Sequence, residues 1–384
     1  MVARVSTETG VELWSQQLDP AAPGASAIAI ATDSARNVIV AGRYESRGGD
    51  VVIQKFRAAD GDTLLWKRWD GPAHQEDRAE ALMVDGGGNI YVAGCTTGGG
   101  HTSGLLLKYS PKGKLLWKYI LSSSVGAQFK AVGRDGSGNV YVTGTTNINS
   151  SESRLVTLKI SPAGRKVWQR TIAGLGVSYG GQFLKVKGSA VYVVGWLDVD
   201  GGRPVILKYG LTGKSLWKHA SGTTAWVNDM TVDPKGRVIL VGWRYSDAWV
   251  PQMKVGFLEY WTPSGTGDPG GAMFPADFGP GAVYPAEFDS VITDATGRIF
   301  CAGSINTAAE WGTTNAVVVT WPSIDSQVPG PDAIWRYDGP ASGYDMFYGM
   351  LRTSDGAIYV AGRRAGPEGA QAILHRLAPA LPPG

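Results

Sequence analysis

The stretch "DGGGNIYVAG" at residues 85–94 returns as "DGSGNVYVTG" at 135–144. A polar turn followed by an alternating apolar run is unremarkable once, but two copies in phase are a repeat. Internal repeats decide architecture before any other feature. The closing phrase occurs seven times, ending at Gly42, Gly94, Gly144, Gly195, Gly242, Gly303 and Gly362. Successive copies lie 47 to 61 residues apart, a period typical of solenoids, arrays and propellers.

Each copy keeps one inner order. A small-residue apolar run such as "AIAIATD" or "AEALMVD" comes first, and a turn leads to the "NVYVAG" strand. A variable loop follows, then a third strand ending in "IQKF", "LLKY", "TLKI" or "ILKY". After a second turn comes a fourth strand carrying Trp66, Trp117, Trp168 or Trp217. Four short antiparallel strands, repeated seven times, predict an all-β, seven-bladed β-propeller occupying residues 1–384 as one domain. Helical periodicity is absent. Residues 378–384 read as a Pro-rich C-terminal tail.

The unit "D-x-x-G-N-x-Y-V-x-G … K-Y-x-x-x-G-x-x-L-W" resembles the bacterial SBBP repeat, named for seven-bladed β-propellers. The resemblance is strongest from residue 26 to 242 and implies the propeller fold and an extracytoplasmic location. The fourth copy, "VKGSAVYVVG", departs from it by lacking the Asp and Asn, and in the sixth Phe274 stands where a Trp is expected. A shorter similarity, to quinoprotein-like propellers, rests on the Thr-Gly-x-x-x-Trp spacing in "STETGVELW" at 6–14.

The last copy ends at its third strand, "AILHRL", without a Trp strand, whereas the N-terminus carries "GVELWSQQL". Because an open edge strand invites aggregation, the Trp14 strand is expected to complete the last blade. "VARV" at 2–5 also looks like a third strand, one more than seven blades need.

Composition narrows function. A net charge of +3 with thinly spread Lys and Arg argues against a nucleic-acid groove. Two cysteines, Cys95 and Cys301, are too few for a disulfide scaffold or zinc site and read as buried small hydrophobes. No run reaches membrane-span length, and "MVARVSTETG" lacks the apolar core of a signal peptide. No cofactor or metal is called for, and a monomer is expected.

Short turns such as "DGSGN" and "SPKGK" share one face, and long dissimilar loops share the other. The long-loop face is the expected working face. Its aromatic residues, Tyr44, Trp196, Trp226, Trp243, Trp249, Trp311, Tyr284 and Tyr344, suit a saccharide or a protein partner. A second set recurs at one position of the first strand: Ile28, Glu80, Lys130, Gln182, Asn228, Asp289 and Gly349. Such side chains are expected to ring a channel mouth, where Lys130, Gln182 and Asn228 could meet a polar ligand. Glu80 and Asp289, with His74 and His101, are the candidates for acid–base chemistry. No G-x-S-x-G elbow, P-loop or H-E-x-x-H is present.

The leading expectation is a non-enzymatic binding propeller. The alternatives are a polysaccharide or glycoside lyase or hydrolase at the channel mouth, and a structural module of a larger surface protein.

Overall fold

The computed structural model describes residues 2–5, 12–16, 26–44, 49–146, 153–172, 181–197, 202–222, 224–245, 254–265, 285–306, 314–322, 333–337, 345–352, 358–364 and 371–377. Within them the chain is all β, in antiparallel sheets that follow chain order. Sheets I to IV, spanning 26–69, 77–121, 127–172 and 181–220, have four strands each. Sheet V (226–261) has three, sheet VI (285–337) four and sheet VII (346–377) three. The chain divides into two compact units, one holding an N-terminal hairpin and sheets I to IV, the other sheets V to VII. No helix among the described residues is long and apolar enough to cross a membrane.

One local device is common to all seven sheets. The first strand bulges against the second at one shared position, where one residue is skipped in the register; in sheet VI Ala286 is skipped as well. At the shared position the skipped residues are Ile28, Glu80, Lys130, Gln182, Asn228, Asp289 and Tyr348. The recurrent polar position seen in the sequence is therefore the bulge itself. Its seventh member is Tyr348 rather than Gly349, because Gly349 pairs normally with Ala361. The bulge also explains the repeated glycine. A Cβ on Gly42, Gly94, Gly144, Gly242, Gly303 or Gly362 would collide with a first-strand carbonyl oxygen, that of Arg78 for Gly94 and Gln128 for Gly144.

The core lies between neighbouring sheets. In the first unit Ile39 and Ile53 of sheet I meet Val92 and Leu107 of sheet II. Tyr91 and Leu106 of sheet II meet Phe129 and Val142 of sheet III, and Tyr141 and Trp168 of sheet III meet Leu184 and Leu207 of sheet IV. In the second unit Ile239 and Leu258 pack on Phe288 and Val317, and Val318 and Phe300 on Phe347 and Val360.

A Trp and a glycine couple adjacent sheets on the outside. Trp117 Nε1 donates to the Pro162 carbonyl of the next sheet at 2.9 Å, and Trp168 Nε1 to Leu211 at 3.1 Å. The turn glycines Gly164 and Gly213 have φ of 79° and 84°, and each lies against the preceding sheet's indole, where a Cβ would come within 2.8 Å. Trp66 does not fill this role. The turn before it is longer, and the register sets Leu65 opposite Lys55, where Trp117 stands opposite Lys108. A one-residue change of register reverses the side-chain face. Leu65 consequently meets Gly113, and Trp66 is 41% exposed.

The Trp14 strand also departs from expectation. Glu12–Gln16 pairs with Val2–Val5, and sheet VII stops at its third strand, Gln371–Leu377. A pairing between segments so near in sequence costs little loop-closure entropy. Trp14 still contacts sheet I as the other indoles contact their neighbours: Nε1 donates to Ala58 at 3.1 Å and Gly61 packs on the ring. Phe274 and the 378–384 tail lie outside the described residues.

Truncating Trp168 removes a buried indole from an inter-sheet core, so Trp168→Ala should cost about 3–5 kcal/mol. Trp66→Ala should change stability by about 0.5 kcal/mol or less, as at an ordinary surface position. Urea unfolding of the two variants separates the two roles.

Candidate functional site

The most repeated polar residues hold the scaffold. Asp85 accepts hydrogen bonds from the Gly87 and Asn89 backbone N–H groups, from Asn89 Nδ2 and from the Tyr91 hydroxyl at 3.0 Å. Asp135 does the same with Asn139 and Tyr141. Burial alone would raise the Asp85 pKa, but bonds from Asn89, Tyr91 and Gly87 outweigh it and hold the carboxyl below its ordinary value. Burial, aided by Asp85, pushes the Tyr91 phenol up to about 12. The third-strand lysine completes the group: Lys108 Nζ lies 5.1 Å over the Tyr91 ring and 5.9 Å over Trp117. In sheet V Arg237 replaces the Asn and pairs with Asp233 at 2.6 Å. These turns cap themselves, which accounts for their Asp, Asn and Gly without a ligand.

Chemistry therefore has to lie where the sheets differ, and two places stand out. The first is in the second unit, where sheet V carries three aromatic rings at the ends of its first two strands. Trp226, at the start of Trp226–Val232, stands directly opposite Trp243 in Val238–Tyr245. The two indoles stack with centroids 4.1 Å apart and planes 5° from parallel. Tyr245 meets both edge-on, at 5.6 and 5.4 Å, and is 42% exposed. Both indoles are half-buried. Below them Asn228 Nδ2 donates to Asp289 Oδ1 at 3.2 Å, joining the bulges of sheets V and VI.

The second place is in the first unit, where the 70–76 connection between sheets I and II meets the start of the third strand Asp50–Phe56. Arg68 Nε contacts Asp50 at 2.5 Å, its Nη2 lies 3.6 Å from Asp70, and its guanidinium sits 5.7 Å over the Tyr44 ring. His74, in left-handed backbone with φ 51°, sets Nδ1 2.8 Å from Asp70. Asp77 is fully buried and accepts from the Gly71 N–H. Burial raises its pKa, helped by Asp50 and Asp70 and opposed by the Thr96 hydroxyl and the Gly71 N–H. Alongside runs a chain of ion pairs: Arg43–Glu76 at 3.4 Å, Arg78–Glu80 at 2.6 Å and Glu80–Lys130 at 3.0 Å.

The sequence-derived candidates distribute as follows. Glu80 and Lys130 come together as an ion pair of neighbouring bulges, and Asn228 meets Asp289 in the same manner. Gln182 occupies its own bulge, half-buried. Trp226 and Trp243 converge, while Trp196 lies half-buried in Ala190–Leu197 of sheet IV. His101 is exposed at the start of His101–Tyr109, and no hydrogen bond joins it to His74. Trp249, Trp311, Tyr284 and Tyr344 lie outside the described residues. Cys95 and Cys301 are buried free thiols, and burial pushes Cys95 up to about 11. Asp50, Asp70, Arg68 and Thr96 were not singled out from the sequence. Asp50 stands directly before the apolar run Val51–Val52–Ile53, which was the one available signal.

The profile of the SBBP β-propeller repeat matches residues 127–150, which include the first two strands of sheet III. Solved structures with the same fold include the Neurospora crassa Pan2 WD40 domain, 13% identical with a TM-score of 0.52, covering 93% of this chain and 91% of that one. Residues 127–150 thus carry a β-propeller repeat, and the sheets share the fold of these propellers. A polysaccharide lyase, Uly1, aligns at 11% identity and TM-score 0.52 over 97% of this propeller and 93% of its own chain. The quinohemoprotein alcohol dehydrogenase from Comamonas testosteroni aligns at 12% and 0.58, covering 96% and 70%. No curated protein matches the sequence. At these identities the likeness is one of fold.

One buried acid in the second unit should set a pH dependence. Glu259, in Lys254–Trp261, accepts from the Ser221 hydroxyl at 2.8 Å, near the stacked His219 and Trp261 rings. Burial raises its pKa, opposed by Ser221 and Trp261. The penalty is absent while the group is protonated in both states, and stability is lost as pH rises towards the folded-state value. Glu259→Gln should thus be no more stable than wild type at about pH 4 and more stable at about pH 7, measured by urea unfolding across that range.

Proposed function

We propose that this chain is a recognition propeller that binds a saccharide on the aromatic platform of sheet V. The observation that carries the reading is the parallel Trp226–Trp243 stack with Tyr245 edge-on to both and open to solvent. An isolated surface aromatic would be ordinary, but three rings locked together present a rigid apolar surface with polar edges. Such a surface suits the C–H face of a sugar ring, and rigidity lowers the ordering cost of binding. Proteins sharing the fold include a WD40 domain and a polysaccharide lyase, so the scaffold itself admits both binding and catalysis.

The same reading takes the seven bulged sheets as seven blades of one closed propeller. The shared bulge and its paired glycine support this, because each sheet then presents the same strand at the same level. A compact body of this length has a radius of gyration of about 21 Å. Small-angle scattering well above that value would mean that the two units stand apart.

Binding is tested by thermal shift and calorimetry against a panel of oligosaccharides. Tyr245→Ala and Trp243→Ala are expected to weaken the responding saccharide by about tenfold or more, the equivalent of about 1.4 kcal/mol. The melting temperature of Tyr245→Ala should stay close to wild type. A panel without any response, or a response unaffected by both variants, rules the platform out.

A further inference from the structure

We propose that Asp50, Asp70 and Asp77, together with the Thr96 hydroxyl, bind a hard divalent cation of the calcium type that ties sheet I to sheet II. The three carboxylates each offer an oxygen, and these oxygens all lie within 4.8 Å of one another. Oxygens held about 2.4 Å from one ion can be no more than about 4.8 Å apart, so the cluster meets the spacing that Ca²⁺ requires.

Charge points the same way. Asp50 and Asp77 are 1% and 0% exposed, and among the described residues Arg68 is the one guanidinium paired with the group, through Asp50 and more distantly Asp70. Three carboxylates against one guanidinium leave two negative charges when His74 is neutral. Buried carboxylates need cations or protons to offset their lost hydration.

The independent sign of a ligand is the Thr96 hydroxyl. Thr96 is 5% exposed; its Oγ1 lies close enough to Asp77 to lower that carboxyl's pKa, yet neither it nor Asp77 Oδ1 completes a hydrogen bond of ordinary geometry. Both atoms border the space beside Gly71. A Cβ there would lie 2.6 Å from Thr96 Oγ1 and 2.8 and 2.9 Å from the two Asp77 oxygens. The absence of a side chain at Gly71 thus lets these oxygens close on the backbone together. Asp70, with its side chain 32% exposed, forms the open side.

An all-oxygen set suits Ca²⁺ or Mg²⁺ rather than a thiophilic or imidazole-seeking metal. Three carboxylates and a hydroxyl drawn from a strand, a connecting loop and two further strands lack octahedral regularity, which favours Ca²⁺. The donors come from both sheets: Asp50 begins the third strand of sheet I and Asp70 the connection after its fourth, while Asp77 and Thr96 belong to Asp77–Val84 and Ile90–Gly98 of sheet II. A bound ion would hold the two loop ends together, beside Tyr44 and the Arg43–Glu76 pair.

The test uses the full chain, stripped with a chelator and titrated with CaCl₂ or MgCl₂ by calorimetry and thermal melting. One equivalent of Ca²⁺ per chain and a raised melting temperature are expected, with a weaker response to Mg²⁺. Asp77→Asn and Thr96→Val should each weaken Ca²⁺ binding by about tenfold or more. Asp60→Asn, in the exposed turn paired with Arg57, should leave it unchanged. Should Asp77→Asn not fold, Asp70→Asn, at the open side, replaces it with the same expected loss. Absence of heat and of any melting shift at millimolar Ca²⁺ overturns the proposal. So does Ca²⁺ affinity that survives both Asp70→Asn and Thr96→Val. An Asp77→Asn variant more stable than a wild type that ignores Ca²⁺ would show that Arg68 and protons alone balance the cluster.

Discussion

A residue is inserted into the first strand of every sheet, and in six of the seven the carbonyl two positions before it fills the space a second-strand side chain would otherwise take. Glycine is the residue that fits there, and it recurs from Gly42 to Gly362 for that reason. The bulge increases local twist and turns its own side chain out of the normal alternation. It therefore shapes each sheet and also sets which residues, Glu80 and Lys130 or Asn228 and Asp289, can reach across to the neighbouring first strand. The repeat's glycine and its odd polar residue are two consequences of the same inserted residue.

The inter-sheet contacts build on that regularity. In the first unit an indole or leucine of the fourth strand rests on a turn glycine of the next sheet, as Trp117 does on Gly164, Trp168 on Gly213 and Leu65 on Gly113. Aspartate, tyrosine and lysine lock the inner turn to the third strand. Sheets that touch only their neighbours gain stability from nearest-neighbour interfaces, so the residues common to all copies serve cohesion. Specific chemistry falls to positions where one copy differs. Trp226, Trp243 and Tyr245 gather in sheet V alone, and Asp50, Asp70 and Asp77 meet at the edge between sheets I and II.

Strand type, strand order and the four-strand unit were legible because period-two alternation and turn chemistry are local and were repeated seven times. The departures have local causes too. Trp66 carries the right motif, yet a longer turn shifts its register and places Leu65 in the pocket. Gly349 looked like the seventh bulge position, but Tyr348 is the residue skipped. The Trp14 strand found a partner in Val2–Val5, since a hairpin closes a far shorter loop than a pairing across the whole chain.

The candidate sites were legible in part. Aromatic density after the "VGW" strand marked Trp226 and Trp243, though their mutual stacking depends on the direct pairing of two strand ends. Glu80 and Asp289 drew attention as charges in an apolar strand, and both turn out to be tied to neighbouring bulges. The amino-acid sequence by itself determined the repeat, the β class, the turns and the glycine positions, because each follows from backbone sterics and nearest-neighbour alternation. Tertiary structure decided which side chains meet between sheets. Asp50 and Asp77 are 27 positions apart with no local pattern linking them, and only the packing of sheet I on sheet II buries both. Burial and proximity across sheets depend on how the bulged strands are packed, and no local pattern of residues encodes that.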